Sequence, residues 1–80
     1  MNIEELIMGY YELKRSEKGT LLTQPYYFVL KASNGKVIAT SEMYSTKQSA
    51  KEGIRSVQEN GLTDEIKDLT PQGLKWISDL

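Results

Sequence analysis

An α+β fold, an antiparallel sheet covered by one main helix, is what these 80 residues predict. Three observations carry that reading. Gly9 to Lys14 (GYYELK) alternates with the period of a half-buried strand. Asn34-Gly35 joins two strand-like runs, as a hairpin turn does. From Lys47 to Asn60 the apolar positions Ala50, Ile54 and Val57 recur at helical spacing.

Each element has a local cause. In the first strand Tyr11 and Leu13 fall on one side, and Tyr10, Glu12 and Lys14 on the other. Ser16-Glu17-Lys18-Gly19 is polar and reads as the tip of a connection, while Thr20 to Gln24 could extend either flank. Pro25 introduces Tyr26 to Ala32, whose aromatic and β-branched residues suit a strand beginning just after a proline. A type I′ turn at Asn34-Gly35 needs positive φ at both residues, which this pair tolerates best. The expected register then sets Ala32 opposite Val37, Leu30 opposite Ala39 and Phe28 opposite Ser41. Phe28, Leu30, Ala32, Val37 and Ala39 form the apolar face, and Tyr27, Val29, Lys31, Ile38 and Thr40 a mixed one.

Ser45-Thr46-Lys47-Gln48 matches a capping box with Ser45 as N-cap, and Gly61 supplies the C-terminal stop. A helix of 14 residues is about 21 Å long, and six to eight strand residues span roughly 20–26 Å, so the two lengths match. Gly53 interrupts the helix at a cost of about 1 kcal/mol against alanine. Close approach to the sheet or to a partner explains it best. Ile66-Lys67-Asp68-Leu69 reads as a short last strand, and Thr70-Pro71 as the cap and first residue of a short C-terminal helix carrying Leu74 and Ile77.

Composition removes several function classes. With 39% hydrophobic and 26% charged residues the chain is ordinary globular protein, and its length fits one small domain. The absence of His and Cys excludes a disulfide scaffold, thiol nucleophiles and histidine general-base catalysis, and leaves no zinc site of the usual kind. No apolar run approaches a membrane span and the acidic opening Met-Asn-Ile-Glu-Glu lacks a signal-peptide pattern, so a soluble, cytoplasmic protein is expected.

No catalytic constellation stands out. Ser33-Asn34-Gly35-Lys36 has the S-x-x-K spacing of some acyl-enzymes, but those set it at a helix start, whereas here it occupies a turn. Glu42, leading into the helix, suits backbone N–H groups or the helix dipole better than general-base work. Asp64, Glu65 and Asp68 match no calcium loop and read as a solvated acidic face. The six glycines form no phosphate loop, and the helix stripe is too narrow to lie in a membrane. The expectation is a non-enzyme with no cofactor and no metal.

The net charge of −1 hides an uneven distribution: residues 9–55 carry +4, residues 1–8 carry −2 and residues 56–80 carry −3. If the first strand pairs with the second, Tyr10, Lys14, Tyr27 and Lys31 share one sheet face. Aromatic rings among lysines are what single-stranded nucleic acid needs for stacking and phosphate contact. The competing reading is that the tyrosines cover the sheet while the lysines keep it soluble. With no broad excess of basic residues, nucleic acid is the less favoured partner.

The run from Phe28 through Leu30-Lys31-Ala32, Asn34-Gly35, Ile38, Ser41-Glu42, Tyr44, Lys47, Ala50, Gly53-Ile54 and Ser56-Val57 holds a fixed spacing. With Gly9 to Leu13 upstream and Lys67 to Thr70 downstream, it resembles the YegP-like family of small domains of unknown function. The resemblance covers residues 9–70 as one domain. It leaves 1–8 and 71–80 as extensions, and the connection from Arg15 to Gln24 is longer than the family's usual one. What it implies is a β-β-β-α-β unit used in tandem or as two subunits. A chain with one unit is then a homodimer, with Gly53 and Val57 of the helix and Ile66 and Leu69 of the last strand as candidate contacts. Size argues the same way, because domains below about 80 residues often need a staple, and association is the one available here.

Overall fold

The computed structural model describes residues 8–18 and 23–71. The strands are β1 (Tyr10–Arg15), β2 (Tyr26–Lys31) and β3 (Val37–Thr40), followed by the helix α1 (Lys47–Asn60). The sheet runs in the order β1-β2-β3 with both pairings antiparallel, so this is the α+β fold expected. Thr20 to Leu22, part of the ambiguous connection, and Leu74 and Ile77 of the expected C-terminal helix lie outside the described residues.

Alternation in β1 works as read: Tyr11 pairs with Leu30 and Leu13 with Phe28 on the face that α1 covers. The hairpin turn differs from expectation. Gly35 has φ +85°, but Asn34 does not have positive φ, so type I′ is replaced by a three-residue connection. The Gly35 N–H donates to the Ala32 carbonyl at 2.8 Å, and the Ala32 N–H to the Lys36 carbonyl at 2.8 Å. Asn34 uses its side chain instead: its Oδ1 accepts from the Lys36 N–H at 3.0 Å, which satisfies the turn without a left-handed asparagine. The pairing nearest the turn is therefore Lys31 with Val37, not Ala32 with Val37. A bulge at Ile38 absorbs the extra residue, and beyond it Leu30 meets Ala39 as predicted. Val37 is thereby moved off the apolar face and is 52% exposed.

Ser41 extends the ladder past β3 in an unusual way. Its backbone N–H donates to the Phe28 carbonyl at 2.9 Å, while its Oγ accepts from the Phe28 N–H at 2.9 Å. Three residues on, Tyr44 bridges Tyr26 through reciprocal backbone bonds of 3.0 and 2.6 Å. That bridge pins Tyr44 to the sheet, so Ser45 makes the corner and the N-cap falls on Thr46 rather than Ser45. The Thr46 Oγ1 accepts from the Ser49 N–H at 2.9 Å. At the other end Gly61 does stop the helix, but from a right-handed conformation (φ −71°), donating to the Val57 carbonyl.

The core forms where α1 lies on β2 and β1. Phe28 sits at its centre, edge-on to Tyr11 with ring centroids 5.9 Å apart and stacked on Tyr44 at 6.1 Å. Ala50 is fully buried, and Ile54 is half-buried beside it. Gly53 is required by close approach within the protomer: a Cβ there would strike the Tyr44 hydroxyl and come within 3.0 Å of the Phe28 ring. Val57, expected on the buried stripe, is instead 37% exposed at the side of α1 that faces β3. After Gly61 no described residue pairs as a strand. The expected last strand, Ile66 to Leu69, lies open because a lone segment has neither a ladder partner nor an apolar face to bury against.

Candidate interaction surfaces

Two surfaces follow from this arrangement. The first is the sheet face away from α1. Pairing of Tyr10 with Lys31 and of Lys14 with Tyr27 brings all four candidate residues onto it, as the first strand's alternation required. The same alternation places Glu12 between them, opposite Val29. The Glu12 Oε1 lies 2.9 Å from the Lys31 Nζ and 3.8 Å from the Lys14 Nζ. The hydrogen bond from Lys31 holds the Glu12 carboxyl below the usual carboxylate range, and the same bond raises Lys31 above the ordinary lysine value. Glu12 therefore engages Lys31 directly and Lys14 at longer range. Glu12 was visible in the sequence on that side of the strand; what the pattern did not convey was its central register position. Val29, on this mixed face, is as buried as Phe28 at 5% exposed, because it stands in the middle strand.

The second surface flanks α1 on the β3 side. Between α1 and β3 runs an open groove of about 240 Å³, floored by Phe28, Leu30 and Ala39 and walled by Tyr44, Gly53 and Val57. Beyond the helix, Ile66 and Leu69 are 88% and 85% exposed. Of the four candidate dimer contacts, Gly53 and Val57 thus share one groove. Ile66 and Leu69 stand together on a separate open segment. Asp68 in that segment accepts from both the Thr70 hydroxyl (2.7 Å) and the Thr70 N–H (3.0 Å), and these bonds hold its carboxyl below the usual range. Among the described residues no group of three or more acidic side chains is placed to hold a metal ion, and no described helix is long and apolar enough to cross a membrane.

Fold and surfaces define a small α+β module whose outer strands, β1 and β3, each pair with one described strand only. The family model "Domain of unknown function (DUF1508)" matches residues 24–68, more than half of the chain. A UPF0339 protein of Photorhabdus laumondii is 56% identical over 55 residues, covering 69% of this chain and 44% of the relative. The UPF0339 protein YegP of Escherichia coli is 46% identical over 57 residues, covering 71% of this chain and 52% of that protein. The chain thus spans about half the length of the curated relatives it matches. A solved structure, an NMR solution structure of a protein from Haloferax volcanii, aligns with TM-score 0.61 and 30% identity over 78% of this chain and 98% of that one. This chain belongs to the DUF1508 family of YegP-like proteins, whose members named here are uncharacterised and carry no indicated catalytic function.

Proposed function

We propose that the protein is a non-catalytic interaction module that works as a homodimer. One observation carries this reading: Ile66 and Leu69 are almost fully exposed on a segment that pairs with no described strand, while β1 and β3 each have one edge that no described strand pairs. A second copy would give that segment a ladder partner and an apolar surface together. The half-length match to the curated relatives supports it, since two copies of this unit have the bulk of one such relative. The few fully buried apolar side chains among the described residues support it too, because a core of that size gains from association. Light scattering across a dilution series checks the reading. Twice the chain mass of 9.1 kDa is expected at micromolar concentration, falling to one chain in Ile66→Asp/Leu69→Asp. A wild-type monomer throughout would refute it.

A second reading, weak single-stranded nucleic-acid binding through Tyr10, Lys14, Tyr27 and Lys31, is favoured by their common face. The Glu12 carboxylate among them works against it. Amide shifts of these residues on adding an oligonucleotide at low salt would support it, and unchanged shifts would remove it.

A further inference from the structure

The flank of α1 opposite Gly53 and Val57 has a different chemistry. Lys47, Lys51 and Arg55 stand at i, i+4 and i+8, forming one exposed ridge with cations about 6 Å apart along the axis. At its start Lys47 shares an open groove with Leu13, Lys14, Arg15 and Tyr26. Lys14 and Arg15 continue into a second hollow with Lys18 and Tyr27. Six cations therefore run from the β1–β2 connection, around the end of β1 from the Tyr27 face to the Tyr26 face, and along the helix. Glu17 is the only carboxylate lining these two hollows, Glu52 lines a third beside Lys51 and Arg55, and no described carboxylate lies within 4 Å of Arg15, Lys18, Lys47, Lys51 or Arg55. Lys14, the sixth cation, is shared with the sheet face: it lies 3.8 Å from Glu12, which engages Lys31 more closely at 2.9 Å.

We propose that this band binds the phosphate backbone of a single-stranded nucleic acid, with Tyr26 and Tyr27 providing ring surface at its strand end. Two features select that partner over an acidic protein segment. The three helix cations Lys47, Lys51 and Arg55 repeat at even spacing, which suits a chain of regularly placed charges. Two tyrosines also stand among the cations, with the Arg15 guanidinium 5.8 Å from the Tyr26 ring centroid. Stacking of bases uses such rings; acidic side chains do not. The proposal does not depend on the homodimer, whose candidate helix contacts lie on the other flank. It differs from the sheet-face reading in needing neither Tyr10 nor Lys31.

The test is fluorescence anisotropy of labelled 12-nucleotide oligo(dT) and oligo(U) with the full chain, titrated from about 20 to 200 mM salt. The wild type is expected to bind with a log-log salt slope steeper than about −3, since each phosphate neutralised on a single strand contributes about −0.7. Lys47→Glu/Lys51→Glu/Arg55→Glu should abolish binding. The neutral variant Lys47→Gln/Lys51→Gln/Arg55→Gln, checked for helix content by circular dichroism, should flatten the slope by about 2. Tyr10→Ala/Lys31→Ala should leave it unchanged. Absence of salt-sensitive wild-type binding, an unaltered neutral variant, loss of binding in the Tyr10/Lys31 variant alone, or equal competition by polyglutamate at matched charge would each overturn the proposal.

Discussion

The two faces of one sheet are built from alternate residues of the same strands, yet they hold together by different physics. On the helix side, Tyr11, Phe28 and Tyr44 pack ring on ring beneath Ala50 and Gly53. There the gain is apolar area removed from water, and shape decides it. On the other side, Glu12 meets Lys14 along β1 and Lys31 across on β2, and only Val29 is buried. Exposed ion pairs contribute little to stability because water and salt screen them. One face therefore sets whether the chain folds. The other sets what its surface offers to a partner.

Removing the centre of the packed face should break the contrast most decisively. Phe28→Ala empties a site 5% exposed, and a loss of about 3–5 kcal/mol is expected, enough to leave a small domain largely unfolded in a urea titration. Gly53 sharpens the point that shape, not only area, governs this face. Overpacking costs roughly 1–3 kcal/mol and the alanine helix preference returns about 1, so Gly53→Ala should destabilise by up to about 2 kcal/mol. In a Tyr44→Leu background, where the hydroxyl and ring carbon are gone and only the Phe28 ring edge at 3.0 Å must give, the same change should cost about 1 kcal/mol less. An equal cost in both backgrounds would show that the Tyr44 contact is not what demands glycine.

The helix start tests how the two faces are joined. Thr46→Ala should cost about 1 kcal/mol and Ser45→Ala close to nothing, and the reverse order in thermal melts would return the cap to Ser45. The smallest effect belongs to the charged face. Because Glu12 is depressed, its contribution to stability is complete above the unfolded carboxylate pKa and is lost as pH falls through the folded one. Lys31 is raised, so its contribution is complete below the unfolded lysine pKa and is lost as pH rises through the folded one. Glu12→Gln should leave neutral-pH stability little changed while reducing the slope of stability at both ends of that range, as denaturant midpoints across pH would show.

Much of this was legible in the residues. Alternation assigned every face of β1, and apolar spacing placed α1 at Lys47 to Asn60, because both depend on local periodicity. The Asn-Gly pair marked the hairpin, but its turn type was misread. Whether asparagine adopts positive φ or caps the turn with its side chain is decided by how the flanking strands pair, and the Ile38 bulge then carried Val37 to the other face. The sequence places Glu12 beside Tyr10 and Lys14 but does not show it as the partner of Lys31, since a distance between side chains on two strands is not written in either strand. The basic band was missed for a related reason: Lys14 and Lys47 are far apart along the chain, and only α1 crossing β1 brings them to one groove.

Composition and period determined by themselves that this chain has no thiol or imidazole chemistry, and that it makes an antiparallel hairpin, a further strand and one amphipathic helix. Those properties are sums over residues or nearest neighbours, and they need no knowledge of what lies across the fold. Tertiary structure alone decided that Tyr44 caps Gly53, that Thr46 rather than Ser45 starts the helix, and that Ile66 and Leu69 lie open instead of completing the sheet. Each depends on a partner distant in sequence being present or absent. An apolar alternation can propose a strand, but a ladder forms only where a second backbone offers its N–H and C=O groups.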